Sequence, residues 1–240
     1  MILLPIRGET AARGIPWITG LLVAANVGVF AWQLRQGSPS VVAELGFVPA
    51  RFATASREGA SFDPNASLVP GAVASSGPLA PGASLVTSMF VHGNWLHLIS
   101  NLVYLWVFGI GVEGTMGGVR YLLFYLATGL GGHLAQFLTN PHSVVPTIGA
   151  SGAISGILAA YLLRFPHARV KSLLFLFVFL RWVRVPAFLL IGYWLLIQVL
   201  NGAAELGGVT SGGVAWFEHL GGFFAGFVLF PAMAAGRAER

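Results

Sequence analysis

Residues 149–156 read GASGAISG, and residues 219–226 read HLGGFFAG. In each stretch two of the glycines are four residues apart, a spacing that places them on one face of a helix. Small residues at this spacing allow two helix backbones to touch each other in lipid. We therefore predict that the two stretches belong to membrane helices that pack closely together.

The composition indicates an integral membrane protein. Charged residues make up 9% and hydrophobic residues 56% of the 240 residues, whereas a soluble domain carries about 25% charged residues. The mean hydropathy is +0.79, which excludes a soluble globular protein and a disordered chain. The net charge of +5 comes from basic residues in predicted loops and not from a basic stripe with interleaved aromatic residues, so no nucleic-acid partner is expected. Because the chain has no cysteine, disulfides, thiol catalysis and thiolate metal ligands are also excluded.

Six apolar segments have the character of membrane spans, since a helix needs about 20 residues to cross a bilayer. They cover approximately residues 17–34, 95–112, 119–138, 150–165, 186–200 and 214–233. We therefore predict an all-α membrane protein, a six-transmembrane-helix bundle in which residues 1–240 form a single integral membrane domain.

The segments outside the spans have separate interpretations. Residues 1–16 are too polar and interrupted to cross a bilayer, and we interpret them as a cytoplasmic N-terminal segment. Residues 35–85 are interpreted as a long outer loop with a Pro/Gly-rich insertion at 64–82. Residues 170–185, VKSLLFLFVFLRWVRV, contain an apolar run that is too short to cross, so they are expected to form an interfacial or partly buried connection.

The distribution of basic residues predicts the orientation in the membrane. With a cytoplasmic N-terminus, only Arg35, Arg51 and Arg57 of the 13 Lys and Arg residues lie outside. Cytoplasmic loops carry the excess of Lys and Arg in membrane proteins. Both termini are therefore predicted to be cytoplasmic. The absence of organelle-targeting features and the compact six-span form predict a bacterial inner membrane.

Few polar side chains lie inside the apolar segments, and four of them share one depth. His97 and Asn101 lie on one face of the second span, Ser151 opens the fourth span, and His219 lies near the start of the sixth. These three spans run in the same direction, from outside to inside. Their polar residues can therefore converge in a cavity that water reaches from the outer side. There each polar group can bond to water or to another polar group, which offsets the free-energy cost of placing it in hydrocarbon.

This set of residues fits nucleophilic catalysis. A serine hydroxyl needs a general base near neutral pH, and a histidine can accept and return its proton. Ser151 at a helix start offers a backbone N–H group, and His97 and Asn101 offer side-chain N–H groups, to a developing oxyanion. Glu218 is adjacent to His219 and points about 100° away around the helix. We therefore predict a Ser-His dyad without a carboxylate.

The motifs around these residues resemble those of the rhomboid family of intramembrane serine proteases. The resemblance covers a core of about residues 84–230. The matching motifs, in the order of the family, are His92-x4-His97-x3-Asn101, Gly111-Val112-Glu113 with Gly117, Gly149-Ala150-Ser151-Gly152, and His219-Leu220-Gly221-Gly222-x3-Gly226. Taken together these motifs are specific, although Gly-x-Ser-Gly alone is not.

The resemblance implies a serine endopeptidase that cleaves transmembrane protein substrates within the lipid bilayer and needs neither a metal nor a cofactor. Ser151 would be the nucleophile and His219 the base. The Ser151 N–H group would form the oxyanion site together with His97 and Asn101. Glu113 would have a structural role. The residues that would support the catalytic site are His92, Gly149, Gly152, Gly222 and Gly226.

The resemblance also implies that the fifth span and the loop before the sixth admit a substrate helix from the lipid. The sequence departs from the family pattern in three places. Ser155 stands where many members have an aromatic residue that stacks on the base, Glu218 stands where Ala is usual, and the first loop lacks a clear Trp-Arg pair. The nucleophile and the base are both present.

Three other functions are open alternatives. A catalytically inactive rhomboid-like protein would bind transmembrane helices without cleaving them. A metal site could use four histidines, but the sequence has neither HExxH nor a suitable intramembrane carboxylate for a hydrolytic zinc centre; the histidines are His92, His97, His133 and His219. A small-solute transporter would predict charged residues or broken helices at the membrane midplane, and the spans show neither clearly.

Overall fold

Nine α-helices and three β-strands are present in the described part of a computed structural model of the chain, which covers residues 2–8, 15–57, 81–176, 179–208 and 213–235. Most of the insertion at 64–82 lies outside these residues. The helices are α1 (Trp17–Gln36), α2 (Ser38–Leu45), α3 (Pro49–Arg57), α4 (Pro81–Thr87), α5 (Trp95–Met116), α6 (Gly118–Thr139), α7 (Ser151–Arg164), α8 (Ala187–Leu206) and α9 (Trp216–Ala234).

Each predicted span corresponds to one of the long helices of the bundle, α1 and α5 to α9. Four of these helices, α1, α5, α8 and α9, are long and apolar enough to cross a bilayer, and α7 is a shorter apolar helix. The described part of the predicted outer loop contains the short helices α2 and α3 and the start of α4. Helix formation therefore follows the apolar segments closely, while the count of six spans stays a prediction.

The prediction of an entirely α-helical fold is wrong in three segments. Strands β1 (Ile2–Gly8), β2 (Arg169–Leu176) and β3 (Phe179–Pro186) form an antiparallel sheet in the order β1-β2-β3. The connection at 170–185 is thus largely a β-hairpin, and part of the N-terminal segment pairs with it. β-Branched and aromatic residues favour strands where a sheet has one buried face. Here Val170 and Ser172 are fully buried, whereas Lys171 and Trp182 face outward.

The close approach of α7 and α9 that the glycine spacing predicts is present in the structure. A Cβ atom added to Gly222 would overlap the carbonyl oxygen of Gly152, and one added to Gly226 would overlap that of Gly156. Only glycine permits backbones to lie at this distance. The two helices therefore have little freedom to shift relative to each other, which fixes the distance between residues at their first turns.

Helix α1 is joined to α5 through a carboxylate. Glu113 on α5 accepts hydrogen bonds from the backbone N–H groups of Ile18 and Thr19 at 2.9 and 2.8 Å, and from the Thr19 hydroxyl at 2.6 Å. The first N–H groups of a helix lack partners within that helix, and a negative charge there is favourable. Glu113 therefore caps α1, which agrees with the structural role that the sequence motif implies for it.

Candidate active site

Ser151 is the first residue of α7, and the loop before it is held on two sides. Thr147 exchanges two backbone hydrogen bonds with Phe47, at 2.7 and 3.0 Å, and the Gly149 N–H group donates to the Ser88 carbonyl at 2.9 Å. Gly149 has a φ of 113°, which residues with a Cβ atom rarely adopt. The start of α7, and with it the Ser151 hydroxyl, is therefore placed by the surrounding backbone.

Ser151 and His219 are in direct contact. The Ser151 Oγ atom lies 2.9 Å from His219 Nε2, within the ordinary hydrogen-bond range. His219 is in the first turn of α9, and the close packing of α7 against α9 brings the two side chains together. The contact predicted for this pair from their positions in the sequence is thus present, across 68 residues of chain.

His97 and Asn101 approach the same place from α5. A Cβ atom added to Gly149 would lie 2.7 Å from His97 Nε2 and 3.5 Å from Asn101 Nδ2. The Asn101 Nδ2 atom is buried, and no described residue accepts a hydrogen bond from it. Two N–H-bearing side chains therefore lie beside the backbone that leads into Ser151, and the Asn101 donor is available to another group.

The starts of α5, α7 and α9 surround one cavity of about 760 Å³. Ser151, His219, His97 and Asn101 all line it, together with Trp194 of α8 and the residues just before α9. This is the convergence expected from spans that run in one direction. The cavity is large enough to admit an extended peptide segment beside the Ser151–His219 pair.

His92 is buried and does not line this cavity. Its ring lies 5.1 Å from that of His97, and its backbone N–H and carbonyl groups bond to the Gln33 side chain of α1 at 3.2 and 2.6 Å. Burial, with a smaller effect from His97, lowers the pKa of His92 to about 4. A neutral His92 therefore packs against the His97 ring outside the cavity, and its backbone connects the site to α1.

Two of the positions at which the sequence departs from the family pattern, Ser155 and Glu218, make contacts within the fold. The Ser155 hydroxyl donates to the Ser151 carbonyl at 2.7 Å, which is the back-bonding expected of a serine inside a helix. Glu218 is buried against Gly152 and lies 4.0 Å from His133 Nε2, on the side of α9 that faces α6. Glu218 also lines the cavity, and its carboxyl group lies between Gly152 of α7 and His133 of α6.

In the described part of the chain, no three or more His, Asp or Glu side chains are grouped so that they could hold a metal ion. His133 instead lies 2.9 Å from the Ser88 hydroxyl through Nε2 and 2.9 Å from the Gly129 carbonyl through Nδ1. The four histidines of the metal alternative therefore do not form one ligand set.

Gln198 is a site residue that the sequence analysis missed. Its Oε1 atom lies 2.7 Å from His219 Nδ1, on the ring edge opposite Ser151. Gln198 belongs to α8 and is 4% exposed. The available signal was a polar amide in an otherwise apolar span, which usually needs a partner in another helix.

The comparison with known families gives the class of this fold and site. A family model described as the Rhomboid domain matches residues 82–235, which is more than half of the chain and includes every site residue described above. The chain therefore belongs to the rhomboid family. Together with the apolar helices α1, α5, α8 and α9, this makes it an integral, multi-pass membrane protein.

Several known proteins are similar in sequence to this chain. Rhomboid-like protein 11, chloroplastic, from Arabidopsis thaliana is 36% identical over 152 residues, covering 60% of this chain and 50% of the relative. Rhomboid protease GluP from Bacillus subtilis (strain 168) is 32% identical over 156 residues, covering 65% of this chain and 28% of the relative. Putative rhomboid protease YdcA from the same organism is 35% identical over 78 residues, covering 32% of this chain and 39% of the relative. The chain thus spans half or less of the length of these relatives.

Proposed function

We propose that this protein is an intramembrane serine endopeptidase that cleaves peptide bonds in or next to transmembrane segments of membrane-protein substrates. The observation that carries the proposal is the 2.9 Å contact between Ser151 Oγ and His219 Nε2, in a cavity at one end of the bundle. Membership of the rhomboid family, in which two relatives are named as proteases, supports the same assignment.

In the first step, Ser151 Oγ bonds to the carbonyl carbon of the scissile peptide while His219 Nε2 accepts the hydroxyl proton. The carbon–nitrogen bond then breaks, and the leaving amine takes the proton from Nε2. In the second step, water attacks the ester on Ser151 and gives its proton to Nε2, which returns it to Oγ as the ester bond breaks. One peptide bond and one water become a carboxyl group and an amine.

The negative charge on the tetrahedral intermediate needs donors at fixed positions. We assign this role to the Asn101 amide, the His97 ring and the Ser151 N–H group. The buried Asn101 Nδ2 atom without a partner among the described residues supports the assignment, because a buried, unsatisfied donor is stabilised when an oxyanion arrives. The glycines at 149, 152, 222 and 226 support this arrangement by allowing the backbones to approach.

The substrate is a transmembrane helix that must unwind locally, because its peptide carbonyls are otherwise hydrogen-bonded within the helix. We infer that it enters from the lipid beside α8 and the loop before α9. Trp194 of α8 and residues 213–215 of that loop line the cavity, which supports this route. Small, helix-destabilising residues near the cleaved bond are expected to favour cleavage.

For the arrangement in the membrane we infer six spans in a single domain, with both termini cytoplasmic and the cavity open to the outer side of a bacterial inner membrane. The long helices of the bundle and the distribution of Lys and Arg support this topology. No metal, cofactor or nucleic acid takes part in the proposed reaction.

The test is cleavage of a model transmembrane substrate by the purified protein in liposomes. Ser151→Ala and His219→Ala should each lower the rate by at least about 10²–10⁴-fold, since nucleophile and base act together. A chelator should have no effect. Equal cleavage by the wild type and Ser151→Ala would overturn the serine mechanism.

The same preparation separates the alternatives. A wild-type protein that binds the substrate helix but does not cleave it would be an inactive rhomboid-like protein. Solute flux that persists in Ser151→Ala would support a transporter, and loss of cleavage with a chelator would support a metal enzyme.

A further inference from the structure

His219 is held from both edges of its ring, and the second contact comes from a different helix. Nε2 faces Ser151 Oγ at 2.9 Å, and Nδ1 faces Gln198 Oε1 at 2.7 Å. Gln198 is almost completely buried and belongs to α8, whereas His219 belongs to α9. The ring is therefore positioned by one residue of α7 and one of α8.

The orientation of the Gln198 amide follows from its other bond. Gln198 Nε2 lies 3.1 Å from the backbone carbonyl oxygen of Trp194. A carbonyl oxygen can only accept a hydrogen bond, so the side-chain atom that contacts it must be the NH₂ group. The oxygen of the amide therefore faces His219, and the assignment does not depend on an arbitrary choice between the two amide atoms.

This orientation determines the tautomer of His219. Because Gln198 Oε1 can only accept, a neutral His219 must carry its hydrogen on Nδ1. The lone pair of the ring then lies on Nε2 and faces Ser151 Oγ, whose hydroxyl must be the donor. The Trp194 carbonyl, the Gln198 amide, the imidazole and the serine hydroxyl form one chain in which the direction of every hydrogen bond is fixed.

Helix α8 also provides an aromatic neighbour for His219. The Trp194 ring is tilted by 38° to the imidazole, with the two centroids 6.0 Å apart. Position 155 of α7, where the family pattern has an aromatic residue that stacks on the base, is a serine bonded to its own helix. In this protein Trp194 and Gln198, one turn apart on α8, therefore support the base, beside Trp216 of α9, whose ring centroid lies 6.3 Å from that of His219.

We propose that Gln198 is a positioning residue that holds His219 in the tautomer and orientation needed to accept the Ser151 proton. This inference rests on the proposed serine mechanism. A neutral amide thereby takes the structural part of the role that a buried carboxylate has in a catalytic triad, without placing a charge in the membrane-spanning part of the protein. It stabilises the imidazolium less than a carboxylate would, because an amide carries only a dipole.

The experiment measures the rate at which a fluorophosphonate labels Ser151, across a range of pH, in the full-length protein in liposomes. This probe reports the reactivity of the serine without requiring a natural substrate. Ser151→Ala gives the background. Gln198→Leu removes the acceptor, and we expect labelling to fall by about 10–100-fold, part of the roughly 10²–10⁴-fold contribution of general-base catalysis.

Asn201→Leu is the matched control. Asn201 is an amide on the same helix whose Nδ2 donates to the Ile197 carbonyl at 2.8 Å, as Gln198 does to Trp194, but it does not line the cavity. It should label at the wild-type rate. A change that merely disturbs α8 would affect both variants, whereas loss of the positioning bond affects Gln198→Leu alone.

Gln198→Glu supplies a readout that a purely structural role would not change. Its carboxylate retains an acceptor for Nδ1 and favours the protonated imidazole, so the acid limb of the labelling profile should move to higher pH. At pH values above the acid limb, the labelling rate should return to within about threefold of the wild-type rate, because a carboxylate also holds the hydrogen of His219 on Nδ1.

The outcomes separate this inference from the proposed function. If the wild type labels no faster than Ser151→Ala, the serine mechanism fails and the role of Gln198 fails with it. If the wild type labels rapidly and Gln198→Leu labels like Asn201→Leu, the serine mechanism stands and the positioning role is overturned. An unchanged pH profile in Gln198→Glu would also overturn it.

Discussion

At the scale of single residues, the Asn101 amide offers a way to test the proposed catalytic site against a role in helix packing alone. Polar side chains in membrane helices often bridge neighbouring helices by hydrogen bonds. The Asn101 Nδ2 atom has no acceptor among the described residues and is buried beside the loop that leads into Ser151. A donor in this position makes no hydrogen bond with the described residues of the resting protein, but it could donate one to an oxyanion.

Replacement of this amide should therefore separate activity from stability. We expect Asn101→Ala to lower kcat/KM by about 10²–10³-fold, as loss of one oxyanion donor does in other serine enzymes. The melting temperature should stay near that of the wild type, because no hydrogen bond of Nδ2 is lost. A lower melting temperature with full activity would instead show that Asn101 bridges helices.

At the scale of elements, the proposed catalysis would depend on how closely α7 and α9 pack. Ser151 and His219 lie in the first turns of these helices; the backbones touch beside Ser151, where Gly222 meets Gly152, and again one turn farther along, where Gly226 meets Gly156. Because helices are stiff, a displacement at the glycines also moves the two side chains apart. The glycines therefore affect the reaction without contacting the substrate.

Gly226→Ala should both destabilise and inactivate the protein. The added methyl group would overlap the Gly156 carbonyl oxygen, and overpacking of this kind costs about 1–3 kcal/mol. We expect a lower melting temperature and slower cleavage of the model substrate.

The control for this variant is Gly192→Ala in α8. A Cβ atom at Gly192 meets nothing within 4 Å, and alanine favours a helix over glycine by about 0.5–1 kcal/mol. Its melting temperature should be equal to or higher than that of the wild type. Equal melting temperatures for the two variants would contradict the role assigned to the α7–α9 contact.

At the scale of the whole molecule, the site lies at one end of the bundle and the three-stranded sheet contacts another part of it. The loop before α7 borders the cavity, while β2 begins shortly after α7 ends. If α7 spans the bilayer, these two regions lie on opposite sides of the membrane. The orientation therefore decides which compartment supplies the water for hydrolysis.

Because the natural chain has no cysteine, single cysteines can report this orientation directly. Val145→Cys, in a loop position that is 62% exposed, should react with a membrane-impermeant maleimide in intact bacterial spheroplasts. His167→Cys, an exposed position beyond the other end of α7, should react only after detergent is added. The reverse pattern would overturn the predicted orientation, with the detergent-treated samples as the control for reactivity.

Sequence alone predicted the helices α1 and α5 to α9 and singled out Ser151 and His219 as the candidate nucleophile and base. An apolar segment of sufficient length forms a helix in lipid wherever its partners are, because every backbone group must be satisfied within the segment. Placing a polar side chain in such a segment costs free energy. Four polar residues of the spans could therefore each be recognised separately from the sequence: Ser151, His97, Asn101 and His219. Their common direction along three spans then predicted that they meet.

Only the tertiary structure decided the sheet and the contact between Gln198 and His219. β1 pairs with β2 across most of the chain length, and no local pattern in either segment specifies that partner. Gln198 is likewise recognisable as a polar residue of α8, but its contact with His219 depends on how far α8 is rotated and shifted against α9. Such nonlocal geometry results from the packing of the whole bundle. Neither the hydrophobic periodicity of one segment nor the free-energy cost of a polar residue in it specifies that packing.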